Sequence, residues 1–234
     1  MQNGFGCRVV LAGFCAACIS SVCFAEEEES SAADVLNAAR DARAIWEEFP
    51  GFQADLVIRY DNETGKGKVA VDDYGEVSLS GFEDFDTKPA MSQLGALIMH
   101  RMPGDSFAPD AQFAGEKGEH VLGRLIDLKE KRMGSKYRVQ GDLITEVNRS
   151  MGPVRLKISV IDVERNEEGK VLPKVYAFSL WDSVSGQLKS SETHWHEWTR
   201  VGKYDLPKTF VAVASSENGG NILRLGFSGH RLAD

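Results

Sequence analysis

His194 and His196 stand two residues apart. On an extended segment that spacing sends both imidazoles to one face, where they could share a metal ion if a neighbouring strand supplied a third ligand. The same period groups Trp198 and Arg200 with the histidines and sends Thr193, Trp195 and Glu197 to the other face. No His-Glu-x-x-His motif or carboxylate-rich loop accompanies them, so hydrogen-bonded strand histidines are the simpler reading and no metal ligand set is assigned. His100-Arg101 follows the apolar residues Leu94, Leu97 and Ile98. The pair could neutralise an anionic headgroup while the stripe meets an acyl chain, or it could simply oppose the negative end of a helix dipole.

Other chemistry finds no foothold. Nucleophilic hydrolysis needs a serine on a sharp turn, and no Gly-x-Ser-x-Gly occurs. Gly65-Lys66-Gly67 lacks the spacing and strand-to-helix context of a phosphate cradle and reads as a hairpin turn. Asp72-Asp73 and Glu83-Asp84-Phe85-Asp86 fall at turns, where aspartate is expected anyway. The cations Arg124, Lys129, Lys131, Arg132, Lys136 and Arg138 form a locally basic stretch. Alternation would split them between two faces, which suits a charged strand edge. No catalytic residue or cofactor is assigned.

The elements that must position these residues begin after a leader. Arg8 precedes an apolar run from Val9 to Phe24, closed by small residues at Ala25, and the pattern predicts an export signal spanning 1–25. The run is too short for a membrane span, which needs roughly twenty apolar residues. Cys15-Ala16-Ala17-Cys18 leaves lipidation at Cys18 as an alternative to cleavage after Ala25. All four cysteines lie in this leader, so the 209 residues that remain of 234 offer no disulfide or thiolate chemistry. Loss of Arg8 moves the net charge from −8 to −9, which argues against a nucleic-acid partner. The chain is therefore expected to be exported, to the periplasm or the extracellular space. Residues 26–31 read as an acidic tether, and 32–234 as one domain.

Within that domain the hydrophobic period predicts helices near 32–49 and 89–102, the first ended by Pro50-Gly51 and the second by Pro103-Gly104. Phe52, Ala54, Leu56, Ile58 and Tyr60 then alternate as a half-buried strand, and Val69, Val71, Val77 and Leu79 continue a meander. The stretch 103–119 reads as a long irregular connection, a length that is often functional. From His120 onward, strand patterns recur at 120–128, 135–140, 142–149, 154–164, 171–183, 187–200, 204–215 and 221–232. Short turns make consecutive strands antiparallel. The fold class is α+β and mainly β: a strongly curved antiparallel sheet or half-open barrel of about eleven strands, covered by two helices.

Phe49-Pro50-Gly51-Phe52 with Ala54, Gly134-Ser135-Lys136-Tyr137-Arg138-Val139 and Arg149-Ser150-Met151-Gly152 together resemble an exported or organelle-associated family known as a domain of unknown function (number 3386), over about Asp41 to Leu232. The helix, the phenylalanine entry and the meander are also similar, more distantly, to the lipoprotein-localisation carriers of the LolA and LolB kind. That resemblance implies a half-open barrel lined with apolar residues and a lipid-like ligand. The resulting expectation is a non-enzymatic exported protein that binds a lipid or other apolar small molecule on Leu56, Ile58, Val69, Val71, Leu94, Leu97 and Ile98. Two alternatives stand beside it: a protein-interaction module using the 103–119 loop or a strand edge, and a metal-dependent hydrolase using His194 and His196.

Overall fold

A computed structural model of the chain describes residues 30–104, 110–115, 120–129, 134–217 and 219–233. The predicted export signal and residues 26–29 of the acidic tether lie outside these residues, as do Lys131 and Arg132.

Helix α1 spans Ala32–Asp41 and α2 spans Lys88–Met99. The strands are β1 (Phe52–Tyr60), β2 (Glu63–Val71), β3 (Val77–Ser80), β4 (Ala111–Phe113), β5 (Arg124–Lys129) and β6 (Gly134–Gln140). They continue with β7 (Leu143–Met151), β8 (Val154–Arg165), β9 (Val171–Asp182), β10 (Leu188–Val201), β11 (Tyr204–Ser216) and β12 (Gly219–Leu232). All twelve form one antiparallel sheet in the order β3-β2-β1-β12-β11-β10-β9-β8-β7-β6-β5-β4. The sheet is a curved half-barrel, open between its β3 and β4 edges. The expected architecture is therefore found with one strand more than the predicted eleven. The extra strand, β4, has three residues and sits inside the 103–119 stretch, where so short a segment leaves no alternation to read.

The α1 N-terminus is closed by a capping box, with Ser31 Oγ accepting from the Asp34 amide at 3.1 Å and the Asp34 carboxylate accepting from the Ser31 amide and hydroxyl. The helix stops at Asp41, well short of the predicted 49. Tertiary pairing takes the next residues: the Ala44 amide donates to Val171 O at 2.9 Å and the Val171 amide to Ala42 O at 2.7 Å. A single parallel bridge thus ties Arg43 to the start of β9. Further along this strap, Trp46 stacks on Phe49 at 4.5 Å and its indole N–H donates to Asp205 O at 3.1 Å. Local helix propensity is a weak prior against such contacts.

Buried apolar residues fall into two clusters on the same face of the sheet. One gathers Leu94, Leu97 and Ile98 of α2, Trp46 and Phe49 of the strap, and the inner residues of β1, β2, β11 and β12. The other packs Leu36 and Ala39 of α1 against Ile126, Leu128, Tyr137 and Val139 of β5 and β6. Register shows that both helices lie on one side. A continuous row of opposed residues runs Phe113, Ile126, Tyr137, Val147, Ile158, Phe178, Glu192, Ala214, and directly opposed residues share a face.

Candidate functional site

The same rows define what lies between the clusters. Three opposed pairs on β8 and β9, namely Leu156 with Leu180, Ile158 with Phe178, and Val160 with Tyr176, occupy the inner face midway between α1 and α2. All six are half-buried, and none belongs to either packed cluster. Apolar side chains on the inner face of a curved sheet ordinarily go under a cover. Here they form the floor of a trough, with the α1 cluster along one side, the α2 cluster along the other, and the strap crossing at the Val171 end.

On the α2 side the floor passes into an aromatic and polar wall from β10. Glu192, His194 and His196 lie on the inner face, opposite Ala214, Ala212 and Phe210 of β11. His194 Nε2 sits 3.0 Å from a Glu192 carboxylate oxygen, which also accepts from Gln93 Nε2 at 3.3 Å. Because a carboxylate only accepts, Nε2 carries the hydrogen in this pair. The His194 hydrogen bond is the main cause holding the Glu192 carboxyl below its usual range. Tyr176 stacks on His194 at 4.6 Å and on His196 at 5.3 Å, His196 lies parallel to Trp198 at 5.7 Å, and Phe210 meets both imidazoles edge-on.

Burial pushes His196 down to about 3, with His194 and Arg101 adding to the effect, and it pushes Tyr176 up to about 12, with the Glu192 charge adding. Both groups are therefore neutral throughout the ordinary pH range. Their stack is an uncharged part of the wall beside the Glu192 carboxylate, not an acid–base pair.

The shared face expected for His194 and His196 is present, with ring centroids 6.5 Å apart. Among the described residues, however, no three His, Cys, Asp or Glu side chains converge as a metal site requires. The metal-dependent hydrolase reading gains no support from this geometry.

The seven residues expected to touch a ligand do come together. Leu56, Ile58, Val69, Val71, Leu94, Leu97 and Ile98 all lie in the α2 cluster with 0–7% exposure, packed on one another. They form the body of one trough wall, and the half-buried apolar surface lies further along the sheet on β8 and β9, beyond β12, β11 and β10. A shallow open cleft of about 350 Å³ lined by Pro50, Phe52, Val71 and Val77 lies at the β3 edge, away from the floor. Sequence reasoning found the strands of the floor but did not single out Leu156, Ile158, Phe178 or Leu180. Their alternation in 154–164 and 171–183 was the available signal, yet it does not say which parity faces the helices.

The sequence matches, over residues 27–232, the family model described as protein of unknown function (DUF3386). No match is found among proteins of curated function. Among solved structures, this fold is similar to that of the LolA superfamily protein NE2245 from Nitrosomonas europaea. The identity there is 10% and the TM-score 0.36, covering 88% of this chain and 94% of that one. It is also similar to a DUF1329 family protein from Desulfovibrio piger ATCC 29098, with 9% identity and a TM-score of 0.37, covering 86% of this chain and 91% of that one. A LolA superfamily protein thus stands among the similar structures, as expected, and at these scores the likeness assigns no function.

Proposed function

The chain belongs to the DUF3386 family, and from that premise we propose that this member is an exported, non-enzymatic binding protein holding an apolar or amphipathic molecule in the trough between α1 and α2. The observation that carries the reading is the β8–β9 floor: six apolar or aromatic side chains in the middle of the sheet, half-buried and outside both packed clusters. Ligand sites are mostly apolar concavities with a few placed polar groups, and the β10 wall supplies such groups. The leader at 1–25 supports export, and no helix among the described residues is long and apolar enough to cross a membrane.

Organic extraction of natively purified protein followed by mass spectrometry is expected to recover a stoichiometric amphiphile. Phe178→Glu is expected to abolish its recovery while leaving the protein folded, because Phe178 is in neither cluster. Repeated extraction of nothing stoichiometric from the folded wild-type protein would sink the reading.

One observation favours the interaction module as a second reading. The sheet edge and the 103–119 stretch coincide, since β4 forms the edge and lies within that stretch. An extended partner segment could add there as a further strand. Crosslinking from the exported fraction tests this: a partner lost when 103–119 is shortened supports it, and capture unaffected by that deletion rejects it.

A further inference from the structure

Cations gather at this trough, and most of the carboxylates near them are already engaged. Arg101, two residues past α2, is 4% exposed. Its Nη1 donates to Ala44 O at 2.9 Å, and its guanidinium lies 5.5 Å from the Trp198 ring centre. A guanidinium has five N–H donors. Among the described residues Arg101 makes no ion pair, and a buried charge without a counter-charge is costly.

Arg149 stands on the inner face of β7, opposite Leu156 of the floor. Its Nη2 donates to Tyr137 Oη at 3.0 Å, while its Nε is sealed from solvent without a partner. Arg43, on the strap next to Ala44, uses Nε to reach Arg40 O at 3.2 Å. Neither forms an ion pair among the described residues.

Asp205 lends Arg101 some opposing charge and Asp41 lends some to Arg43, but neither forms an ion pair with them, and other nearby carboxylates have partners of their own. Glu192 serves His194 and Gln93. Asp205 accepts from Arg200 at 2.9 Å and from Asn166 at 2.8 Å, and Glu168 pairs with Arg200 as well. His100 shows the result. Its imidazole is held below the ordinary value by desolvation and then by Arg101, Arg43 and Arg149 together.

We infer that the trough takes an amphipathic anion, its chain on the β8–β9 floor and its carboxylate or phosphate on the guanidinium groups of Arg43, Arg101 and Arg149. This rests on the binding-protein reading and names the class of its ligand. Planar guanidinium forks match both oxyanions bidentately. The net charge of −8 works against non-specific attraction of anions, so a preference for them reports this site.

Calorimetric titration of the purified protein with decanoate, decyl phosphate and decanol holds the chain constant and varies the head. At least one anion is expected to bind about tenfold or more tightly than decanol. That ratio should shrink several-fold in Arg149→Gln and Arg43→Gln, and it should stay unchanged in Lys208→Gln, which removes an exposed cation elsewhere on the sheet. Arg101→Gln should lose the most. Because that side chain also ties α2 to the strap, its unfolding transition is recorded alongside, and the other two variants carry the test if it does not fold.

Tighter decanoate identifies a fatty-acid-like head and tighter decyl phosphate a phospholipid-like one; either supports the inference. Equal affinity for all three molecules overturns it and leaves the binding-protein reading standing, whereas no binding of any of them overturns both.

Discussion

At the scale of single residues the most informative side chain is His196. It is 5% exposed, both ring nitrogens lack a hydrogen-bond partner, and aromatic rings surround it on β9, β10 and β11. An imidazole so placed cannot easily accept a proton, which is why burial holds it down to about 3 against 6.5 in an exposed setting. Between those values the unfolded chain carries a proton that the folded chain refuses. Stability therefore falls as pH drops from about 6.5 toward 3, by at most about 1.4 kcal/mol per pH unit from this group, and above 6.5 the group has no effect. Of the groups that face it, His194 and Arg101 depress it further, and Glu192 sits one residue beyond His194 on the same face. His196→Leu removes both the orphan nitrogens and the acid sensitivity. Denaturant midpoints for the two proteins are expected to lie close together or favour the variant near pH 7, and to diverge further in its favour near pH 4.5. Parallel loss of stability in both would show that the acid response originates elsewhere.

At the scale of elements, the sequence was most readable where the period was long and clean. Seven of the eight strands expected beyond residue 120 agree with the structure within two residues at each end, the exception being β5, which begins at Arg124 rather than 120. Helix α2 likewise agrees within three residues of the predicted 89–102. The failures share a physical cause, which is that distant neighbours decided the local conformation. Residues 42–49 keep a helical apolar spacing, yet Val171 draws their backbone into a bridge and the core claims Trp46 and Phe49. Gly65-Lys66-Gly67 was expected at a turn and instead lies inside β2, with the turn at Asp61-Asn62. Its glycines serve close approach rather than a bend. A Cβ on Gly65 would come within 2.7 Å of the Phe85 ring, and one on Gly67 would run into Ser80 O and the Phe82 ring. Bare strand backbone lets the aromatic segment after β3 settle on the inner face. Gly67→Ala should accordingly cost about 1–3 kcal/mol, read as a lowered urea midpoint with an unchanged slope, whereas Gly95→Ala, on α2 with nothing near its Cβ, should be neutral or stabilising. Equal effects at the two glycines would contradict the packing account. The site was less readable than the fold for the same reason: Arg43, Arg101 and Arg149 are 106 positions apart at the extremes, and only the sheet order brings a strap, a helix end and β7 to one trough.

At the scale of the whole molecule, one hydrogen-bonded sheet carries two apolar clusters with no residue in common. A single core would unfold as a unit, but here cooperativity between the two ends must pass through β8 and β9, whose inner faces add little packed apolar contact, and through the strap. That arrangement suits a binding trough, because the floor can be exposed or covered without dismantling either end. It also predicts that damage stays local. Leu36 of α1 is fully buried in the smaller cluster, so Leu36→Ala should cost that end about 2–5 kcal/mol. Followed by hydrogen exchange, amides of β5, β6 and β7 should lose protection in proportion, while those of β1, β11 and β12 keep theirs, since sub-global opening follows contiguous packed units. Leu225→Ala, in the larger cluster, should give the mirror image. If either substitution lowers protection equally across all of these strands, the sheet behaves as one cooperative block, and the trough between independent walls loses its mechanical basis.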